Sequence, residues 1–332
     1  MEQIIEKLYQ QQSLSFAESN QLFDAIIKGN VEPILLGAIL TALKIKGETP
    51  SEIAGAANAL QLNASPFPTP DYDFADIVGT GGDGANTINI STTSAFVAAA
   101  CGLKVAKHGN RGVSSKSGSS DLLDAFGINL AMDAESSRQA LDDLGLCFLF
   151  APHYHQGVRH AMPVRQAMKT RTIFNILGPL INPAKPKIEL MGVYDPALID
   201  PIAQTMVELG MKRAAVVHGS GLDEVAIHGE THVAEIINGE INRYSVKPAD
   251  FGLKEHSLLS IAGGTPTENR VITEAILQGK ASDAQQSAVA ANVALLMRLF
   301  GHQDLKANAE QAIEVMRSGK PLELVSQLAE RG

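Results

Sequence analysis

Two glycine-rich loops hold the densest concentration of hydrogen-bond donors in this 332-residue chain. The first reads Val78-Gly79-Thr80-Gly81-Gly82-Asp83-Gly84, and Asn89-Ile90-Ser91-Thr92 follows shortly after. Its glycines satisfy GxGxxG, so dinucleotide binding has to be tested. That motif needs a helix opening at its third glycine and an acid about 20 residues further on for the ribose hydroxyls. Here the alternating, β-branched Thr87-Ile88-Asn89-Ile90 follows instead, and no acid lies between Asp83 and Asp121. The nicotinamide reading fails. A Walker loop fails too, since no Lys-Ser/Thr pair follows Gly84. What stays is a strand, a loop with four glycines, and a helix opening near Ser91-Thr92-Thr93-Ser94. Glycines let backbone amides approach a phosphate, and a helix start adds free N–H groups and a positive dipole end. Asn89, Ser91 and Thr92 supply side-chain donors, while Ser91 and Asp83 can offer oxygens to a sugar or a hard cation. Taken alone, the loop can also be read as a structural turn with an N-cap.

The second loop, Lys107 to Ser120, follows an apolar strand and precedes a helix near Asp121 to Phe126. Three glycines, five serines and three cations make it a nest of anion donors. Around it, Lys104 to Ser120 carries four cations and no acid, and Leu144 to Ile188 carries six and no acid. The whole chain has 27 Lys plus Arg against 36 Asp plus Glu, a net charge of −9. That balance argues against bulk nucleic-acid binding and for a local site for a small polyanion. His153, His155 and His160 have a spacing that suggests zinc, yet no cysteine or acid completes a set, so ordinary packed or substrate-lining histidines are expected.

The elements that must position these residues fall into two groups. Up to residue 63 the chain reads as helices only. Ser15 and Glu18 make a capping box before Asn20 to Lys28, Glu32-Pro33 opens a helix that Gly47 ends, and Thr49-Pro50-Ser51-Glu52 caps the next. Pro66, Pro68 and Pro70 then stiffen a linker that marks a domain boundary. Beyond it, strands are expected at Ala75 to Gly79, Leu103 to Lys107, Leu146 to Phe150, Ile188 to Val193 and Ala214 to His218. Helices are expected at Ser94 to Cys101, Glu135 to Leu144 and Ile199 to Leu209. Such alternation implies a largely parallel sheet covered by helices. Asn238-Gly239 between His232 to Ile237 and Glu240 to Val246 signals a hairpin. The expected architecture is therefore α/β: a small all-helical N-terminal domain over 1–70, joined by about 171–187, and a larger domain over 71–332. Both glycine-rich loops then sit at strand C-terminal ends and meet over one crevice.

Composition sets outer limits. With 45% hydrophobic and 19% charged residues, disorder and low complexity are excluded. The longest apolar-dominated stretch, Ala288 to Phe300, is too short to span a bilayer. The charged N-terminus does not read as a secretory signal, and Cys101 and Cys147 read as two buried thiols of a reducing cytoplasm.

Taken together, six motifs resemble those of anthranilate phosphoribosyltransferase. They are Gly79-Thr80-Gly81-Gly82-Asp83, Asn89-Ile90-Ser91-Thr92, Lys107-His108-Gly109-Asn110-Arg111, Arg171-Thr172-Ile173-Phe174-Asn175, Gly178-Pro179-Leu180 and Gly221-Leu222-Asp223-Glu224. The likeness runs from Gly47-Glu48-Thr49 to the C-terminal helices. Two departures are Gly112, where many members carry serine or alanine, and Arg270, where Glu-Asn-Ala is commoner. The resemblance implies transfer of a phosphoribosyl group from phosphoribosyl pyrophosphate to the amine of anthranilate in tryptophan synthesis, and a cytoplasmic homodimer formed through the helical domains. Carried over by position, Gly79, Gly82, Asp83, Thr87, Asn89, Ile90, Ser91, Thr92, Lys107, His108, Gly109, Asn110, Arg111, Gly112, Val113, Ser114, Ser115 and Ser119 would hold phosphoribosyl pyrophosphate. Gly79, Asn110 and Arg165 would contact anthranilate, and Ser91, Asp223 and Glu224 would bind Mg²⁺. His108 and His155 would line the anthranilate path. Two alternatives share the architecture: a pyrimidine nucleoside phosphorylase, and an inactive homologue that binds nucleic acid.

Overall fold

The computed structural model describes residues 1–112 and 116–331, so Val113, Ser114 and Ser115 of the second loop lie outside the described residues. Four helices come first: α1 (Glu2–Tyr9), α2 (Phe16–Ile27), α3 (Pro33–Lys46) and α4 (Pro50–Leu62). Their starts are encoded locally. The Ser15 hydroxyl accepts from Glu18 N–H, and the Glu18 carboxylate takes Ser15 N–H at 2.9 Å. Thr49 and Glu52 repeat the box, and Glu52 does more. It is fully buried, and its carboxylate also takes Leu14 N–H at 2.8 Å and the Lys46 ammonium at 2.7 Å. A buried charge satisfied on all sides ties three segments together at little cost. Gly55 lets α2 and α4 touch, since a Cβ there would stand 2.4 Å from the Phe16 carbonyl.

The second body opens with β1 (Ala75–Gly79), α5 (Ile90–Ala100), β2 (Val105–Gly109), α6 (Ser119–Ala125), α7 (Ala134–Leu144) and β3 (Leu146–Phe150). Three short helices follow: α8 (Ala151–Tyr154), α9 (Met162–Met168) and α10 (Phe174–Leu177). Then come β4 (Ile188–Gly192), α11 (Ile199–Glu208), β5 (Arg213–Gly219), β6 (Thr231–Ile237) and β7 (Glu240–Val246). Four helices close the chain: α12 (Pro266–Leu277), α13 (Asp283–Leu299), α14 (Leu305–Ser318) and α15 (Lys320–Ala329).

The seven strands form one sheet in the order β3-β2-β1-β4-β5-β6-β7, with β1 to β5 parallel and β6 and β7 antiparallel. The architecture is α/β, a helical N-terminal domain with a larger, mostly parallel, helix-flanked domain. The order reverses between β1 and β4, so the loops after β1 and β2 and those after β4 and β5 part over a crevice. The hairpin turn has Asn238 at φ 50° and Gly239 at φ 90°, as a type I′ turn requires.

Several expected bounds shift by a few residues. The second strand is Val105–Gly109 rather than Leu103 to Lys107, because its pairing with β3 runs on to Gly109 opposite Phe150. Thr87 to Ile90 gives only one bridge, Thr87 to Ala262, and α5 already begins at Ile90. Cys147 is buried as expected, whereas Cys101 is only half-buried.

Each sheet face has its own core. One packs Ile77, Leu190 and Val217 under α5 and α13, whose Phe96, Leu295 and Leu296 are buried at roughly 2 kcal/mol per side chain. The other face presents Met191, Val216 and Ala234 to α11, and that cluster continues without a break into α1 to α4. Ile173, Phe174, Leu177 and Leu180 belong to the same cluster. No helix among the described residues is long and apolar enough to cross a membrane.

Candidate functional site

Strands β1, β2, β4 and β5 all end in glycine: Gly79, Gly109, Gly192 and Gly219. For three of them the reason is the segment laid across the sheet. A Cβ on Gly192 would stand 1.6 Å from the Asp223 carbonyl, one on Gly79 2.2 Å from the Asp223 carboxylate, and one on Gly219 2.3 Å from the Glu224 carbonyl. Bare strand ends thus let Asp223 and Glu224 fold down onto the sheet. Buried Asn292 of α13 fixes them from behind, accepting Val225 N–H at 3.1 Å and donating to the Val225 carbonyl at 3.3 Å.

In front, Asp223 accepts Gly81 N–H at 2.6 Å and Glu224 accepts Ser91 N–H at 3.1 Å, at the first turn of α5. Buried Lys107 reaches the same place, donating to the Ile77 carbonyl at 2.6 Å and the Ser91 hydroxyl at 3.4 Å. Burial, then Asp83 beside it, pushes Asp223 up to about 7, and burial and then Asp223 push Glu224 well above the usual carboxylate range. Burial lowers Lys107 against the pull of Asp76, Glu224 and Asp223. A cation entering among these acids would favour their charged forms. Among the described residues, no group of three or more His, Cys, Asp or Glu side chains forms a metal cage.

The two loops are stitched to each other. Asn89 donates to the Ser117 carbonyl at 3.0 Å and accepts from the Ser117 hydroxyl at 3.3 Å. Buried Asn269 of α12 donates to the same Asn89 oxygen at 2.8 Å. Asp121 accepts from Gly112 N–H and Gly118 N–H, each at 2.9 Å, and Ser119 donates to the Asn110 carbonyl at 3.1 Å. Gly109 is glycine because a Cβ would stand 2.3 Å from the Ser119 hydroxyl. The crevice thus gathers Gly79, Gly82, Asp83, Asn89, Ser91, Lys107, Gly109, Gly112 and Ser119. Three residues stand differently. Ile90 buries its side chain and spends its N–H on the Ile88 carbonyl, Thr87 pairs its backbone with Ala262, and Arg111 turns outward to Asp121 at 3.1 Å.

The remaining candidate residues are less densely connected. His108 Nδ1 lies 3.2 Å from the Gly178 carbonyl, and its ring meets His155 edge-on at 5.3 Å between centroids. Burial lowers His108 to about 3 and His155 to about 4, so both are neutral at ordinary pH. Arg165, on α9, stacks over Phe174 at 5.2 Å, and no carboxylate among the described residues pairs with it. Asn110 is exposed and accepts Arg111 N–H at 2.8 Å; no hydrogen bond among the described residues joins it to Arg165. His153 packs on Tyr154 and His160 stands beside Gly29, so the three clustered histidines face different surroundings. Sequence reasoning misses fully buried Asp76, which accepts His108 N–H at 3.3 Å and Asn182 Nδ2 at 2.8 Å. The available signal is an acid inside the apolar run Ala75-Asp76-Ile77-Val78.

A helical bundle with an α/β sheet carrying anion loops at its switch point defines a class: residues 2–64 match the helical bundle domain of the glycosyl transferase family, and residues 71–322 its a/b domain. The anthranilate phosphoribosyltransferase of Photobacterium profundum is 75% identical over 330 residues, 99% of this chain and 97% of that protein. That of Vibrio parahaemolyticus is 74% identical, with 99% of each chain covered. Among solved structures, the Thermus thermophilus enzyme is 37% identical with a TM-score of 0.94, covering 99% of this chain and 98% of that one. The Saccharomyces cerevisiae enzyme in complex with PRPP and Mg is 30% identical with a TM-score of 0.91, covering 99% and 96%. The chain belongs to the anthranilate phosphoribosyltransferase family.

Proposed function

We propose that this chain transfers the phosphoribosyl group of phosphoribosyl pyrophosphate to the amine of anthranilate. The amine lone pair attacks the anomeric carbon as its bond to pyrophosphate breaks, the bonding pair leaves with pyrophosphate, and the amine proton passes to solvent. An aryl amine is unprotonated at neutral pH, so no strong base is needed and catalysis comes from positioning and charge stabilisation. The observation that carries this reading is the pair of anion loops, stitched through Asn89 and Ser117, at the ends of β1 and β2. Gly79, Gly82, Asp83, Asn89, Ser91, Thr92, Lys107 and Ser119 hold the donor, with amides and a buried cation offered to its phosphates. Arg165 and Asn110 hold anthranilate beside neutral His108 and His155. The carboxylate of anthranilate suits Arg165, whose planar guanidinium has no acid partner among the described residues. The two alternatives, a phosphorylase and a nucleic-acid binder, gain nothing from these features or relatives.

Mg²⁺ fits the residues present. It keeps several waters and takes one or two carboxylates plus substrate phosphates, and Asp223, Glu224 and the Ser91 hydroxyl supply a set of that kind. When bound, the ion would neutralise charge on the departing pyrophosphate. The yeast relative's structure contains PRPP and Mg, which supports the same use here. Ile34 and Ile45 of α3, 91% and 71% exposed, support a homodimer through the helical domain, placed in the cytoplasm with the tryptophan pathway. Incubation with phosphoribosyl pyrophosphate, Mg²⁺ and anthranilate tests the reading. Anthranilate fluorescence should fall as pyrophosphate is released in equal amount; unchanged fluorescence overturns it.

A further inference from the structure

Arg171 stands apart from every residue given a role above. It opens the irregular segment whose Ile173, Phe174 and Leu177 belong to the cluster shared by the sheet face and α1 to α4, with the Phe174 ring 5.8 Å from that of Phe23 on α2. Its own carbonyl accepts from Lys44 of α3 at 2.9 Å, and Lys44 also donates to the Thr170 hydroxyl at 2.7 Å. Arg171 is therefore tied to the helical domain. Its exposed guanidinium, however, crosses to the other body. It donates to the Gly82 carbonyl in the first glycine-rich loop and lies over the Tyr194 ring, 3.8 Å from the centroid. Tyr194 is itself locked to that loop, since its N–H donates to the Thr80 hydroxyl at 3.1 Å.

We propose that Arg171 is a positioning residue for the phosphoribosyl donor, a latch that ties the conformation of the Gly79–Gly84 loop to the helical body. Gly81 N–H is held from the sheet side by Asp223, and Gly82 C=O is held from the helical side by Arg171. Two successive residues, both at positive φ, are thus clamped from opposite bodies. In a planar trans peptide the C=O and the next N–H point in opposite directions. Fixing the Gly82 carbonyl on Arg171 therefore turns Asp83 N–H away from Arg171. Glycines at positive φ have little preference of their own, so without the latch the peptide is free to rotate. The aromatic face selects arginine over lysine, because a guanidinium can stack and donate in its own plane.

This proposal rests on the phosphoribosyl-transfer reading only for its kinetic consequence, so its first readout is taken without substrates. In ligand-free Arg171→Ala, amide exchange in peptides covering Gly81 to Asp83 should speed up about five- to tenfold, the loss of one charge-assisted hydrogen bond. The KM for phosphoribosyl pyrophosphate should rise about tenfold while that for anthranilate stays within about twofold. Tyr194→Leu, which keeps the arginine but removes its platform, should fall between. It also stands in if Arg171→Ala fails to fold. Unchanged exchange in both variants overturns the latch, as does full recovery of exchange and donor KM in Arg171→Lys, which would leave charge alone as the cause. A wild-type protein inactive on anthranilate would instead overturn the functional reading and leave the exchange result standing.

Discussion

The walls proposed here for the donor and for the acceptor are built on opposite principles. On the donor side, nearly every polar group is already engaged: Asn89 with Ser117 and Asn269, Asp223 with Gly81, Glu224 with Ser91, and Lys107 with Ile77. On the acceptor side, Arg165 rests on an aromatic ring, Asn110 is exposed, and the buried Nε2 atoms of His108 and His155 have no partner among the described residues. A polyanion needs many donors fixed in advance, because reorganising them during reaction costs energy. A small planar acid needs one guanidinium and a dry, neutral slot.

Removing the paired carboxylates beside the glycine-rich loops should cost the most. Asp223→Ala with Glu224→Gln should reduce turnover about a hundredfold or more at ordinary Mg²⁺, a loss of roughly 3 kcal/mol or more. Wild-type turnover in that double variant, or in excess chelator, removes both carboxylates from the chemistry. Arg165→Ala should raise the anthranilate KM about ten- to a hundredfold, the loss of a charge-assisted pair. Equal loss for both substrates would make Arg165 a structural residue.

The neutral histidines give a pH signature. Folded His155 titrates near 4, whereas an unfolded histidine titrates near 6.5, so the unfolded chain binds the extra proton between those values. Stability from this group is complete above 6.5 and is lost as pH falls toward 4, at roughly 1.4 kcal/mol per pH unit. Asp76, raised to about 6 by burial, acts with the opposite sign as pH falls below 6. Urea titrations of wild type and His155→Asn at several pH values isolate the histidine. The variant should lose less stability than wild type from pH 6.5 to 4.5, and parallel curves contradict a buried neutral His155. The smallest effect is expected for Asn269→Ala, which cuts its bond to Asn89 and the one it accepts from Gly264 N–H: a donor KM higher by about three- to tenfold, with anthranilate KM unchanged.

The same contrast explains what can be read from the chain alone. The capping boxes and the Asn-Gly turn beside β7 rest on neighbours within a few residues, and β1 and β3 show as short apolar runs even though their sheet partners are distant. The glycine-rich loops announce themselves because donors and glycines cluster there without acids. Illegible are the features set by distant partners. Gly192 and Gly219 must be glycine because of Asp223 and Glu224, and Asp76 is stabilised by Asn182, 106 residues away. Arg171 is visible only as a letter in a motif and Asn269 not at all, with nothing nearby to show that they reach Gly82 and Asn89. The end of β2 escapes the sequence pattern for the same reason, since Gly109 extends the strand only by pairing with Phe150.

A two-substrate steady-state matrix on wild type, Arg165→Ala and Asn269→Ala tests the division of the crevice most directly. Two separately built walls predict orthogonal losses: Arg165→Ala moves only the anthranilate KM, and Asn269→Ala moves only that of phosphoribosyl pyrophosphate. Both constants shifting together in both variants would contradict that division.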